Sequence, residues 1–245
     1  MSALGKKIQP EKRFPMTAPS LKVSLPFKID GELCRVVFLT KGLISIISDT
    51  QTEKLSKYKW SACLNKSTGL YYAVRHDRRR QHGMVMMHRE ILGLAKGDVR
   101  TGDHRNHDTL DNRDSNLRIA TKSEQQWNKR VSRRNINGFK GISFHKRDKL
   151  YRAEINLGSL RVMCIGYFKD PATAARAYDA AALWFFGKFA CTNFSSDPSN
   201  HDSLPIRVFE KFARVRPPTP EMLGYFSSIV PHLVPTDAHR KTSSD

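Results

Sequence analysis

Acidic residues are scarce in this chain. Against 42 Lys and Arg stand 23 Asp and Glu, so its 245 residues carry a formal net charge of +19. An excess of that size attracts polyanions through counterion release and long-range steering, which makes nucleic acid the favoured partner. Cysteine is scarce as well. Cys34, Cys63, Cys164 and Cys191 stand apart without paired spacing. That argues against a zinc knuckle and a disulfide framework, and fits a reducing compartment, cytoplasm or, in a eukaryote, nucleus. No apolar run approaches the length that crosses a bilayer. A basic amphipathic helix with an aromatic face is also missing, so no membrane partner is expected. The basic N-terminus lacks an apolar core behind it and does not read as a signal peptide. At 39% hydrophobic and 27% charged residues the composition is globular, if somewhat polar. The length suits one large domain or two small ones with tails.

Residues 1–21, rich in Lys, Pro and Ser, read as a flexible tail. A β-like pattern follows: Arg35–Thr40 and Leu43–Ile47 around a Lys41-Gly42 turn, then Lys59–Leu64 and Leu70–Arg75. A short helix is expected within 49–58. Arg78-Arg79-Arg80 fall in a loop, as a solvated tip or as phosphate contacts. Met84–Leu94 reads as a strand passing into a helix that Gly93 interrupts or ends, its methionines serving as core. His88, alone among apolar neighbours, is expected to be structural.

The centre of the chain is Gly102–Asn128. A short strand, Val99–Asp103, delivers Asp103 and His104 side by side. Strand neighbours point to opposite faces, so both can serve one site only where the strand ends and twists. The Asn- and Asp-rich segment 105–115 supplies the loop, and Asn116–Ala120 reads as the returning strand. Thr121-Lys122-Ser123-Glu124 is a capping box, which starts a helix carrying Gln125 and Asn128 on one face.

These residues resemble the HNH endonucleases, in the branch found among homing and phage enzymes. The resemblance rests on Met87-His88-Arg89, Asp103-His104, Leu110-Asp111-Asn112-Arg113, Asn116-Leu117-Arg118, Ala120-Thr121 and Asn128, across roughly 56–134. It implies a ββα-metal unit in which Asp103 binds one divalent cation, His104 is the general base and Asn116 holds the loop. The family's last ligand, usually an Asn, aligns with Gln125. That amide oxygen is one methylene further out, so the ligand is Gln125 itself, Asn128 one turn later, or a weakened site. Hard oxygen ligands favour magnesium or manganese. Hydrolysis would leave a 5′-phosphate and a 3′-hydroxyl.

After a basic connector, Asn128–Gly138 with Arg133 and Arg134, three strands are expected at 139–146, 150–157 and 160–168. A helix follows, with Asp170 as N-cap, Pro171 at N1, an alanine-rich body and Gly187 as its stop. Gly141-Ile142, Tyr151–Ile155, Ile165–Phe168, Ala174–Ala181 and Asn193-Phe194 resemble the ethylene-response-factor (Apetala-type) DNA-binding domain, a three-stranded sheet backed by one helix. Alternation points Tyr151, Ala153 and Ile155 at the helix. It leaves Arg152, Glu154 and Asn156 outward. The resemblance and the parity nominate Lys140, Ser143, His145, Arg147, Arg152 and Glu154 as DNA contacts, with Arg and Lys able to read guanine edges or to hold phosphate.

The expected fold class is α+β: an HNH unit with a small N-terminal β-rich extension at 22–134 (core about 84–134), then the sheet-and-helix module at 135–195. Residues 196–245, Ser-, Pro- and charge-rich, are expected to be a largely disordered tail, with short helices at 209–212 and 222–230 as its only candidate structure. The leading functional expectation is a site-preferring, metal-dependent endonuclease acting on double-stranded DNA, with no obligate protein partner. A DNA-binding regulator with an inactive nuclease unit, and a basic RNA-binding protein, are the alternatives.

Overall fold

The computed structural model describes residues 23–77, 83–131, 135, 137–158, 161–194, 204–217 and 219–226. Arg78–Arg80, Arg133 and Arg134 therefore lie outside the described residues. The chain divides into two compact units, 1–121 and 122–245. This boundary falls earlier than the expected one after residue 134, placing the capping-box helix in the second unit.

In the first unit, the β-branched and aliphatic runs form β1 (Phe27–Ile29), β2 (Glu32–Phe38) and β3 (Ile44–Ser48). A turn with Lys41 and Gly42 at positive φ joins the last two. A single helical turn, α1 (Thr52–Leu55), leads to β4 (Ser61–Asn65), β5 (Leu70–Asp77) and β6 (Gly83–Met86), an antiparallel sheet of its own. The chain passes directly into α2 (Met87–Ile91), and Gly93 follows at φ +67°. The hairpin β7 (Thr101–His104) and β9 (Leu117–Ala120) pairs Asp103 with Arg118 and His104 with Leu117.

Between them lies β8 (Asp111–Asn112), expected to be loop. Instead it joins β3 in parallel, Ile46 opposite Asp111 and Ile47 opposite Asn112, and closes the sheet in the order β1-β2-β3-β8. The core behind is aliphatic and aromatic: Val37, Ile47, Leu55, Trp60 and Met87 are buried, and the Trp60 indole donates to the Leu55 carbonyl at 2.9 Å.

The second unit begins with α3 (Lys122–Trp127), then β10 (Ile142–His145), β11 (Leu150–Asn156) and β12 (Val162–Phe168), ordered β10-β11-β12 and antiparallel. Helix α4 (Pro171–Phe186) has the expected cap, with Asp170 accepting from the Thr173 amide at 2.7 Å. Ala174, Ala177 and Ala181 are buried with Ala153 and Ile155 of β11, because methyl side chains let the helix lie close to the sheet. Gly141 marks the tightest approach. Its φ is +75°, and a Cβ there would sit 2.0 Å from the Tyr178 ring.

The stretch read as a tail holds two helices, α5 (Ile206–Val215) and α6 (Pro220–Phe226). Phe209, Phe212 and Phe226 are fully buried around Trp184, and the Trp184 indole donates to the Arg216 carbonyl at 3.0 Å. Burial of such rings, worth about 1.5–3 kcal/mol each, overrides a polar composition. Disorder is thus corrected for 204–217 and 219–226.

Candidate functional site

In the first unit the hairpin β7–β9 ends where the sheet β1-β2-β3-β8 begins, and polar side chains gather there. His104 is 6% exposed. Its Nε2 lies 3.2 Å from Asn112 Oδ1, Asn112 Nδ2 donates to Ser45 Oγ at 2.8 Å, and Ser45 Oγ donates to the Leu110 carbonyl at 2.8 Å. The serine proton goes to a carbonyl, so its lone pairs take the amide N–H. The amide oxygen therefore faces the imidazole. Nε2 then carries hydrogen, and Nδ1 is the basic nitrogen of the neutral ring. Burial holds the His104 pKa below its ordinary value, against the opposing pull of the Asn112 hydrogen bond and the Asp103 charge.

His88 packs against this ring edge-on, with centroids 5.1 Å apart, and Tyr72 approaches both imidazoles. Burial, the neighbouring His104 and Arg89 push the His88 pKa down to about 3, so it stays neutral. Gly102 makes the room, since a Cβ there would stand 2.5 Å from the His88 ring.

Asp103 accepts from Arg118 Nε and Nη2, both at 2.7 Å, in a pair at most about one-tenth exposed. Asn116 spans the intervening loop: its Nδ2 donates to the Asp111 carbonyl at 2.7 Å and its Oδ1 accepts from the Asn106 amide at 3.0 Å. Arg113 grips the Asp111 carboxylate, with 2.8 and 2.9 Å contacts. Burial raises that carboxyl, but Arg113 and Asn106 outweigh it and hold the pKa below the usual range.

Among the described residues no cluster of three or more His, Cys, Asp or Glu is arranged to hold a metal. The donor chemistry is that of a hard divalent cation, the kind that keeps several waters and takes one or two carboxylates. Asp103 beside His104 fits that requirement; a thiolate or multi-histidine site for a softer metal is not what these residues offer. Gln125 and Asn128, the expected amide ligands, stand in the second unit, Gln125 within α3 and Asn128 just after it.

On the sheet of the second unit, Ser143, Arg152 and Tyr167 form one cross-strand row. Arg152 Nη2 reaches Glu154 at 2.9 Å, the His145 and Tyr167 rings meet edge-on at 5.8 Å, and the Arg147 side chain is 88% exposed. Lys140 departs from its nomination. Its ammonium donates to the Trp127, Lys129 and Cys191 carbonyls, and burial lowers its pKa. It ties loops together rather than facing outward.

Sequence reading missed Ser45 and gave no role to Asn112, Arg118 and Tyr167, although these three lie in the motifs that carry the two resemblances. The hairpin register carried a signal for Arg118, which falls opposite Asp103. Alternation from the inward Met163 and Ile165 would turn Tyr167 inward as well, and only the register shift that leaves Ile165 unpaired sets it opposite Arg152 on the outer face. Nothing local pointed to Ser45.

The chain is 32% identical to an uncharacterized HNH endonuclease of Acanthamoeba polyphaga mimivirus over 157 residues, 62% of this chain and 76% of that protein. It belongs to the HNH endonuclease family. It is also 39% identical over 75 residues to APETALA2-like protein 2 of Oryza sativa, in both the indica and japonica subspecies. That match covers 29% of this chain and 17% of the rice protein. An HNH part and an APETALA2-like part thus occur in one chain. No family model and no solved structure matches. Among the described residues no helix is long and apolar enough to cross a membrane.

Proposed function

We propose that the protein is a divalent-metal-dependent DNA endonuclease that hydrolyses phosphodiester bonds at preferred sites, with the sheet β10-β11-β12 reading the target. The observation that carries the catalytic half is the chain Ser45–Asn112–His104, which sets the imidazole tautomer so that Nδ1 is the base, beside a carboxylate, while burial favours the neutral ring. His104 Nδ1 takes a proton from water, the water oxygen bonds to phosphorus, and the phosphorus–O3′ bond breaks, O3′ taking a proton from solvent. Asn116 keeps the loop, and with it the imidazole, in place. Asp103 would hold the cation, and the family resemblance assigns the further amide ligand to Gln125 or Asn128. A cation held there would supply charge stabilisation for the phosphate and the leaving oxygen.

For recognition, Ser143, His145, Arg152, Glu154 and Tyr167 share a sheet face, and the rim residue Arg147 is suited to phosphate. Arg133 and Arg134 keep their sequence-based assignment to the DNA backbone. A second reading, a DNA-binding regulator with a silent nuclease unit, is favoured by the Arg118 guanidinium that already grips Asp103.

Wild-type protein incubated with random duplexes and Mg2+ or Mn2+ separates the two readings. Endonucleolytic cleavage arrested by EDTA, with 5′-phosphate and 3′-hydroxyl ends clustered at a shared sequence, is the expected outcome. Intact DNA that is nonetheless bound would leave only the second reading.

A further inference from the structure

Helix α5 lies beyond the residues that carry either family resemblance, and it has two unlike faces. Val208, Phe209 and Phe212 are buried. Arg207, Lys211 and Arg214, spaced i, i+4 and i+7 on the opposite side, are exposed. Together with Gly166 and Tyr167 of β12 these three cations line an open groove of about 410 Å3. Lys211 Nζ donates one proton to the Ile165 carbonyl at 3.4 Å, which holds the ammonium at the edge of β12 with two further donors to offer. Glu210 is the one carboxylate among the described lining residues.

Tyr167 links this groove to the reading face. It is 48% exposed and stands in the cross-strand row with Arg152 and Ser143, while also forming the groove wall. β12 is an edge strand, and the groove adjoins that edge beside Tyr167. Three cations against one carboxylate, two of them guanidiniums whose planar forks match phosphate oxygens, select a polyanionic backbone over a peptide.

We propose that the α5–β12 groove is a phosphate-binding seat that grips the backbone of the same DNA duplex whose bases the sheet reads. This rests on the reading of the sheet as the DNA-contacting face, and it adds an anchor outside the APETALA2-like part. The anchor contributes affinity without sequence preference.

The test is the salt dependence of duplex binding by the full chain. Each phosphate neutralised on duplex DNA contributes about 0.9 to the slope of log K against log salt. The triple variant Arg207→Ala/Lys211→Ala/Arg214→Ala should make the slope shallower by about 2–3 while keeping the wild-type order of preference among target sequences. The charge-preserving Arg207→Lys/Arg214→Lys should retain the wild-type slope. An unchanged slope and affinity in the triple variant would overturn the proposal. So would weaker binding at unchanged slope, which signals a damaged fold, or stronger competition by single-stranded RNA or polyglutamate than by duplex DNA. Arg152→Ala separates this failure from that of the sheet reading. If that variant loses target preference while the triple variant behaves as wild type, only the α5 seat fails. If wild type binds duplex without salt dependence, the sheet reading fails too.

Discussion

The two units solve burial in opposite ways. Among the described residues, Asn128 and Asp179 are the only buried polar or charged side chains of the second unit, whereas the first buries Ser45, His88, Asp103, His104, Asp111, Asn112, Asn116 and Arg118, among others. The second unit's interior is alanine against sheet and phenylalanine around tryptophan. Its packing makes a stiff platform that presents an outer surface. The first unit places its polar groups inside, most of them with hydrogen-bond partners that orient donors and acceptors in advance, which the proposed cleavage site would need. Even the carboxylates differ. Asp103 and Asp111 each have a guanidinium, while Asp179 is held by the Asn193 and Phe194 amides and the Asn193 side chain at 2.8–3.0 Å.

This contrast can be broken by substitution. Trp184→Ala removes the ring on which Phe209, Phe212 and Phe226 converge. It should cost about 3–5 kcal/mol in the second unit alone, read by denaturant titration with hydrogen exchange resolved by segment. Equal loss of protection in the first unit would show that the units do not unfold separately. In the first unit, Arg118→Ala leaves Asp103 buried without its guanidinium and should cost about 3 kcal/mol or more. A loss below about 1 kcal/mol, the range of exposed pairs, would mean that water already screens the pair.

Gly102→Ala sharpens the picture by pushing a methyl into the His88 ring. Overpacking of this kind costs about 1–3 kcal/mol, and the displaced ring should slow cleavage as well as lower the melting temperature. Unchanged melting would contradict the tight contact.

The smallest expected effect is a difference in pH dependence. Burial pushes Asp179 up to about 6, against the pull of its amide hydrogen bonds, so the folded second unit binds this proton more tightly than the unfolded chain does. Its contribution is present at low pH and is lost as pH rises through about 6. Asp111 runs the other way: its folded pKa is depressed, so its contribution is present above the unfolded value and disappears as pH falls through the folded one. Segment-resolved hydrogen exchange between about pH 4 and 6 should therefore show the second unit loosening as pH rises. Asp179→Asn should flatten that trend, although its NH2 would face the Phe194 amide and lower stability throughout.

Much of this was legible in the chain. Alternating aliphatics marked β2, β3 and β11, while Asp170-Pro171 and Gly187 bounded α4 because caps and stops are local chemistry. The adjacency of Asp103 and His104 was equally plain. What escaped was set by distant pairing. Nothing near Asn112 says that β8 will add to β3, yet that parallel register brings Ser45 to the amide that orients His104. Lys140 looked like an outward cation because its sequence does not disclose three carbonyls converging on it. Short helices at 209–212 and 222–230 were legible, but their extent over 206–215 and 220–226 and their burial were not, because composition does not show which apolar surface will receive Phe209, Phe212 and Phe226.

The most direct test of the central claim, that the N-terminal sheet holds His104 as the base, is single-turnover cleavage of duplex DNA with Mg2+ by wild type, His104→Ala and Ser45→Ala, with affinity measured alongside. The expected result is a loss of about 10²–10⁴-fold for His104→Ala and a smaller one, up to about a hundredfold, for Ser45→Ala, both at unchanged DNA affinity. Wild-type cleavage rates in His104→Ala would contradict it.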